Sequence, residues 1–255
     1  MLALPSLHPI LRYAAMAGIT TLLLAGCAAN RSLSGPDGAG ATTVQNQAGL
    51  GELTERYKRQ PKDKNLIIQY AAALRDAGQS GQAVAVLEAG MIHHPTDTEI
   101  TIAYAKALTA DGRFAQSLAV IDKAIRPDAP DWNALLVKGA TLDQLGRNGE
   151  ARKLYGQALA LAPGEAAIEA NLGLSYAMTN ELPRAEQHLR RAVGMRGATT
   201  RVRQNLALVV GLQGRFDEAR TLYAAELPPE QVESNMTYVR SLLSQQNRWE
   251  QVAKG

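Results

Sequence analysis

The chain has 255 residues and a net charge of +3, with 46% hydrophobic residues but only 5% aromatic ones. This balance, dominated by Ala and Leu, favours closely packed helices over a β-sandwich, whose strands are rich in β-branched and aromatic side chains. The small net charge gives no argument for nucleic-acid binding, and a single cysteine, Cys27, excludes a disulfide within the chain.

The N-terminal segment has the features of a secretory signal. Residues 1–26 contain no acidic residue and one arginine, Arg12, which precedes an uncharged and partly apolar stretch. A membrane-spanning helix needs about 20 consecutive apolar residues, and this stretch is shorter. We therefore predict a signal peptide over 1–26.

Residues 27–46 are rich in Gly, Ser, Ala and Thr, which predicts a flexible tether.

The signal ends on the residues Leu24, Ala25, Gly26 and Cys27. This ending resembles the lipobox of bacterial lipoproteins. The resemblance implies cleavage before Cys27, whose thiol then carries diacylglycerol and whose amine is acylated. Several acyl chains anchor a protein stably, because each buried CH₂ contributes about 0.8 kcal/mol. Since Ala28 and not Asp follows the cysteine, the resemblance also implies the periplasmic face of the outer membrane.

Small residues recur with a step of 34 through the rest of the chain. One series is Gly78, Gly112, Gly146, Asn180, Gly214 and Arg248. Glycine and asparagine tolerate the left-handed backbone that ends a helix. A second series is Ala83, Ser117, Ala151, Ala185, Ala219 and Ala253. Small residues are required where two helices of a hairpin approach to about 8–10 Å. The two series together predict one helical hairpin per period.

One complete unit is clearest between Trp132 and Pro163. The residues that define the pattern of this unit are Leu135, Gly139, Leu142, Gly146, Ala151, Tyr155, Ala158 and Pro163. This pattern resembles the consensus of the tetratricopeptide repeat (TPR), whose period is 34 residues. The resemblance implies an all-α TPR solenoid, a right-handed superhelix of helix-turn-helix hairpins.

We predict a TPR domain over residues 47–255. An N-terminal cap is predicted over 47–60, a C-terminal capping helix from about Pro229 to Gln246, and a partial C-terminal repeat over 234–255. Five full repeats are predicted at about 64–97, 98–131, 132–165, 166–199 and 200–233. Two residues depart from the pattern. Ser117 replaces the alanine of its series, and Glu226 replaces the small residue of the fifth repeat.

The resemblance implies a concave groove lined by the first helix of each repeat. The predicted groove residues are Ile68, Ile102, Lys106, Leu136, Leu174, Met178, Leu208, Leu212 and Tyr238. Their largely apolar character predicts a partner helix or apolar segment. The Lys and Asn with which chaperone-binding TPR proteins clamp a C-terminal carboxylate are absent from the corresponding positions. Alternatively, Ile68, Ile102 and Leu136 pack between neighbouring first helices, since periodicity does not separate the two roles.

A basic patch is a second hypothesis. No acidic residue occurs from Gln187 to Phe216, whereas several arginines do. The proposed patch consists of Arg190, Arg191, Arg196, Arg201 and Arg203. Such a run suits an acidic partner, the cell wall or anionic headgroups. The alternative is a solvated face that is balanced by acids elsewhere in space.

The sequence shows no pattern of catalytic chemistry. It lacks HExxH, CxxC, GxSxG, P-loop and dinucleotide-binding motifs. The adjacent His93 and His94 point about 100° apart on a helix, so they do not readily share a metal. We therefore predict no enzyme activity, no metal, no small-molecule substrate and no cofactor besides the lipid on Cys27.

The layout of lipobox, tether and TPR domain resembles that of the TadD lipoproteins of the tight-adherence (Flp) pilus. The resemblance implies a scaffold that binds the secretin or other pilus components and assists their assembly. Two alternatives of the same class are a type IV pilotin and an adaptor of outer-membrane protein assembly. An alternative of another class is an adaptor that recruits peptidoglycan enzymes, for which the arginine run is the only support.

Overall fold

A computed structural model describes residues 39–254, with side-chain surroundings for residues 49–245. The described residues form twelve α-helices and no strand, which confirms the predicted all-α fold class. They divide into two compact units, an N-terminal unit of residues 39–161 and a C-terminal unit of residues 162–254. The predicted signal peptide and Cys27 lie outside the described residues.

The N-terminal unit contains three helical hairpins preceded by one helix. Its helices are α1 (Ala39–Arg59), α2 (Lys64–Asp76), α3 (Ser80–His93), α4 (Thr98–Ala110), α5 (Phe114–Ile121), α6 (Trp132–Gln144) and α7 (Asn148–Leu161). An aspartate precedes the first helix of each hairpin, at positions 63, 97 and 131. Its carboxylate accepts a hydrogen bond from a backbone N–H of the first turn, which satisfies a donor that has no partner within the helix.

The C-terminal unit contains two hairpins followed by a long helix. Its helices are α8 (Ala166–Met178), α9 (Leu182–Gly194), α10 (Thr200–Leu212), α11 (Phe216–Ala224) and α12 (Pro229–Lys254). From α2 to α10, the first helices of the five hairpins begin at residues 64, 98, 132, 166 and 200, a constant step of 34. These are the residues at which the sequence period places the repeat starts.

The turn inside each hairpin passes through the left-handed region of backbone space. The φ angle is +60° at Asn180 and +73° at Gly146, and the equivalent glycines have similar values. In the turn at Gly146, the Arg147 amide donates to the Leu142 carbonyl at 2.9 Å. This bond satisfies a carbonyl at the helix C-terminus. Glycine recurs here because a side chain strains this conformation.

The two helices of a hairpin touch where one of them lacks a side chain. A Cβ on Gly139 of α6 would lie 2.4 Å from the Tyr155 ring of α7. Tyr155 is fully buried, and its hydroxyl donates to Asp143 Oδ2 at 2.8 Å. Burial raises the pKa of Tyr155 well above its ordinary value. The aromatic ring therefore occupies the volume that Gly139 leaves open.

Ser117 departs from the small apolar residue of the pattern without leaving a polar atom unsatisfied. Its Oγ lies 2.8 Å from the hydroxyl of Thr109 and donates to the Ala105 carbonyl at 2.9 Å. The Thr141 hydroxyl joins the same buried cluster, 2.7 Å from that of Thr109. Because each hydroxyl has a partner, the cluster avoids the cost of burying an unpaired polar group.

Two predicted boundaries differ from the observed ones. Helix α1 begins at Ala39, so residues 39–46 are helical instead of part of the predicted tether. Once a helix is nucleated, Ala and Gln extend it at little cost. The prediction of a flexible tether over the remaining residues 27–38 lies outside the described residues.

Helix α12 begins at Pro229, where the C-terminal capping helix is predicted, and continues without a break through the predicted partial repeat to Lys254. Its sequence contains no glycine, and Arg248 occupies the position where the other repeats turn. Arginine is a good helix former, so nothing in the local sequence ends the helix there. Val232, Met236 and Val239 of α12 join the core of the C-terminal unit.

We predict opposite effects for two glycine-to-alanine substitutions. Gly139→Ala should lower the free energy of unfolding by roughly 1–3 kcal/mol, because the new methyl overlaps the buried Tyr155 ring. Gly156→Ala, on the exposed face of α7 with nothing within 4 Å, should raise it by about 0.5–1 kcal/mol through helix propensity. Urea unfolding of both variants checks the pair. Equal effects of the two would contradict the proposed hairpin contact.

Candidate protein-binding groove

A cavity of about 460 Å³ lies in the N-terminal unit between α2, α4 and the start of α6. We call this cavity the groove. The side chains that define it are Ile68, Gln69 and Arg75 of α2, Ile102 and Lys106 of α4, and Trp132 of α6. Three consecutive first helices thus contribute apolar, aromatic and cationic side chains to one surface.

The helical spacing explains why these side chains converge. Ile68 and Arg75 are seven residues apart, and Ile102 and Lys106 are four apart, so each pair lies on one face of its helix. Ile68 and Ile102 are also separated by one 34-residue period, so they occupy equivalent places in neighbouring repeats. The repeat therefore places like side chains along the groove.

Lys106 carries a positive charge into a half-buried site. Burial and the nearby guanidinium of Arg75 lower its pKa to about 8, and the carboxylate of Asp131 offsets this only in part. Among residues 49–245, neither Lys106 nor Arg75 makes an ion pair or a side-chain hydrogen bond. Three other lysines of this unit are paired: Lys58 with Glu55, Lys64 with Asp97 and Glu99, and Lys138 with Asp122 at 2.6 Å. The groove thus holds two cations that form no ion pair within the described residues.

The acidic side chains that border the groove are already engaged. Glu99 pairs with Lys64 Nζ at 2.8 Å. Asp131 accepts the first-turn amides of Asn133 and Ala134 at 2.8 and 3.0 Å, as the N-cap of α6. Neither carboxylate forms an ion pair with Lys106, although the charge of Asp131 partly offsets the lowering of the lysine pKa.

Of the predicted groove residues in the N-terminal unit, Ile68, Ile102 and Lys106 line the cavity and Leu136 does not. Ile102 is only 3% exposed and Leu136 is 7% exposed, so both also belong to the packed interior. Ile102 thus serves as both a packing residue and a part of the groove floor, and the two roles weighed from the sequence are not exclusive.

The other predicted groove residues lie in the C-terminal unit. Leu174 is half-buried, and Met178 is buried. Leu208 belongs to the core cluster that α12 joins, and Leu212 and Tyr238 pack against that cluster. Their surroundings favour a packing role in this unit. Their assignment to a partner-binding surface stays a prediction.

Sequence reasoning did not include Trp132 among the groove residues. Trp132 stands at helical spacing from Leu135 and Leu136, so the pattern places it with them on one amphipathic helix. The structure leaves it half-buried and places it in the groove wall. A large aromatic residue that is not fully buried is typical of binding surfaces, and this is the signal that could have found it.

The arginines of the predicted basic patch are largely paired with acids from elsewhere in the chain. The ion pairs are Arg190 with Glu186 and Glu218, Arg191 with Glu169, and Arg203 with Glu226. These acids lie before or after the acid-free run in the sequence, and folding brings them next to its arginines. Arg196 is exposed and Arg201 has a partner, and the patch stays a prediction.

The part of the chain that the structure describes contains no cluster of three or more His, Cys, Asp or Glu residues suited to a metal ion. Within the same part, no helix combines the length and the apolar character needed to cross a membrane.

Comparison with known proteins identifies the repeat. Tetratricopeptide-repeat family models match residues 74–138, 136–199 and 201–225. The chain is similar to a thermophilic TPR protein of Thermus thermophilus, with 21% identity, coverage of 71% of this chain and 99% of that one, and a TM-score of 0.61. It is also similar to a TPR protein of Parabacteroides merdae, with 14% identity, coverage of 94% and 85%, and a TM-score of 0.62. No curated protein matches the chain.

We predict that Lys106→Met stabilises the protein at neutral pH. The folded-state pKa of about 8 lies below the about 10.4 of an unfolded lysine, so the charged form is penalised by folding. At pH 7 the variant should be more stable by about 1–2 kcal/mol. The gain should shrink between pH 8 and pH 10, as the folded wild type loses the proton.

Urea unfolding at pH 7 and pH 10 measures this difference. Lys138→Met is the matched control, because Lys138 is paired with Asp122 and its removal should bring no gain. A Lys106→Met variant that is less stable than the wild type at pH 7 would show that the lysine is compensated within the fold.

Proposed function

This chain is a tetratricopeptide-repeat protein, and we propose that it is a non-catalytic scaffold whose groove holds a segment of a partner protein. The groove carries the proposal, because it combines apolar side chains on consecutive first helices with two unpaired cations. Repeat proteins use such continuous surfaces, built from equivalent residues of successive units, to bind other proteins.

We further propose that the scaffold is anchored by lipid on Cys27 to the periplasmic face of the outer membrane. There it would assist the assembly of a pilus or secretion machine, with the secretin or other pilus components as partners. The support is the order of lipobox, Gly- and Ser-rich segment and TPR domain, and its likeness to the TadD lipoproteins. The peptidoglycan-adaptor alternative has less support, since three of the five arginines behind it are ion-paired.

Truncating the groove wall tests the scaffold proposal. We expect Trp132→Ala to reduce the amount of secretin or pilus component that co-purifies from solubilised envelopes by about tenfold, because buried aromatic anchors dominate such interfaces. Ile92→Ala is the control, since Ile92 is 76% exposed and does not line the groove. Trp132 is a better probe than Ile102, where a polar residue would also disrupt the core.

Circular dichroism should show equal helicity in the wild type and both variants. Undiminished capture by Trp132→Ala, or an equal loss with Ile92→Ala, would be evidence against the groove as the binding site.

The lipid anchor is tested separately. Cys27→Ser removes the thiol that would carry diacylglycerol, so we expect the protein to move from the membrane fraction to the soluble periplasmic fraction. Fractionation followed by immunoblotting measures this, and the thermal unfolding of the TPR domain should not change. Retention of the variant in the outer-membrane fraction would rule out lipidation at Cys27 as the anchor.

A further inference from the structure

Two cations, Lys106 and Arg75, share the groove with apolar side chains and form no ion pair within residues 49–245, although Glu99 and Asp131 also line the cavity. Lys106 and Arg75 are close enough that the guanidinium lowers the pKa of the lysine. Both side chains are half-buried. Partly buried charges in proteins are normally paired, because burial removes water that would otherwise solvate them. Two like charges held together in such a site are stabilised by a carboxylate that reaches both.

We propose that the partner segment held in the groove carries an internal Glu or Asp side chain that pairs with Lys106 and Arg75. Its flanking residues are apolar and contact Ile68, Ile102 and Trp132. This inference rests on the proposed scaffold function and specifies the chemistry of the partner. The two cations pair with the acidic side chain, and the apolar side chains of the groove contact the residues on either side of it.

The amides along the groove favour an internal segment over a chain end. Asn65, Gln69 and Asn133 also line the cavity. Each carboxamide offers both donors and an acceptor, which match the N–H and C=O groups of a peptide backbone that runs through the groove. The sequence also lacks the Lys and Asn arrangement with which chaperone-binding TPR proteins hold a terminal carboxylate. An internal acidic side chain pairs with Lys106 and Arg75, and the carboxamides remain available to hydrogen-bond the peptide backbone.

The charges that face Lys106 make this pairing dependent on pH. The charged groups that share the cavity with Lys106 are Arg75 of α2, Glu99 of α4 and Asp131 before α6. Lys106, with a pKa of about 8, changes charge between pH 7 and pH 9.5. Affinity for the acidic segment should fall over this interval, because free Lys106 loses its proton.

The probe is a set of three libraries of eleven-residue peptides with degenerate apolar and small residues around a fixed centre. The first has a central Glu, an acetylated N-terminus and an amidated C-terminus. The second differs only in a central Gln. The third has the central Gln and a free C-terminal carboxylate. The purified full chain is immobilised, and retained peptides are quantified at pH 7.

We expect the central-Glu library to be retained at least about tenfold better than either other library, since a charge-assisted bond is lost in the neutral analogue. Peptides selected from it should bind at least about tenfold more weakly to Lys106→Met. Lys106→Arg should keep the affinity at pH 7 and abolish its decline towards pH 9.5, because a guanidinium stays charged. Circular dichroism confirms the fold of both variants.

The other outcomes overturn the inference. Equal retention of the Glu and Gln libraries would show that no carboxylate is recognised, and best retention of the third would show a terminal carboxylate instead. Retention of none of the libraries would also refute it. Loss of secretin or pilus-component capture in Trp132→Ala is independent of these results. If that capture is unaffected while the central-Glu library binds, the proposed partner fails and the inferred chemistry stands.

Discussion

In the hairpins α6–α7 and α8–α9, the two helices approach closely because the first helix presents a glycine at the point of contact. The Tyr155 ring fills the space beside Gly139, and the Leu189 side chain lies 2.7 Å from the position of a Cβ on Gly173. Interiors are packed too tightly for either large residue to move aside cheaply. This contact sets the distance between the helices, and so the place at which the next first helix begins.

The groove follows from that regularity. Because equivalent residues recur on consecutive first helices, Ile68 and Ile102 face the same cavity, and Trp132 adds an aromatic wall. The C-terminal unit uses the same positions differently. Leu208 there belongs to a core that Met236 of α12 completes, so apolar residues that could face a partner contact a helix of the chain instead. One repeat pattern thus supports both an open cavity and a capped end.

Charge is distributed in two contrasting ways. Glu186 accepts hydrogen bonds from Arg215, Gln213 and Arg190. Burial alone would raise the pKa of this carboxyl, but these bonds outweigh it and lower the pKa to about 2. Lys106 has no such partner within residues 49–245. Proteins keep unfavourable local charges mainly where function requires them, and that contrast points to the groove as the part of the surface shaped by binding.

The sequence by itself determined the repeat, because its markers act locally. Gly146 ends its helix because its own backbone adopts a positive φ angle. A small residue such as Gly139 recurs at the fixed repeat position where the two helices of a hairpin touch. Only the tertiary structure decided which polar groups meet. Arg203 of α10 pairs with Glu226 beyond the end of α11, Lys106 forms no ion pair within residues 49–245, and Trp132 lines a cavity. These outcomes depend on the rotation and separation of neighbouring helices, which periodicity along the chain does not specify.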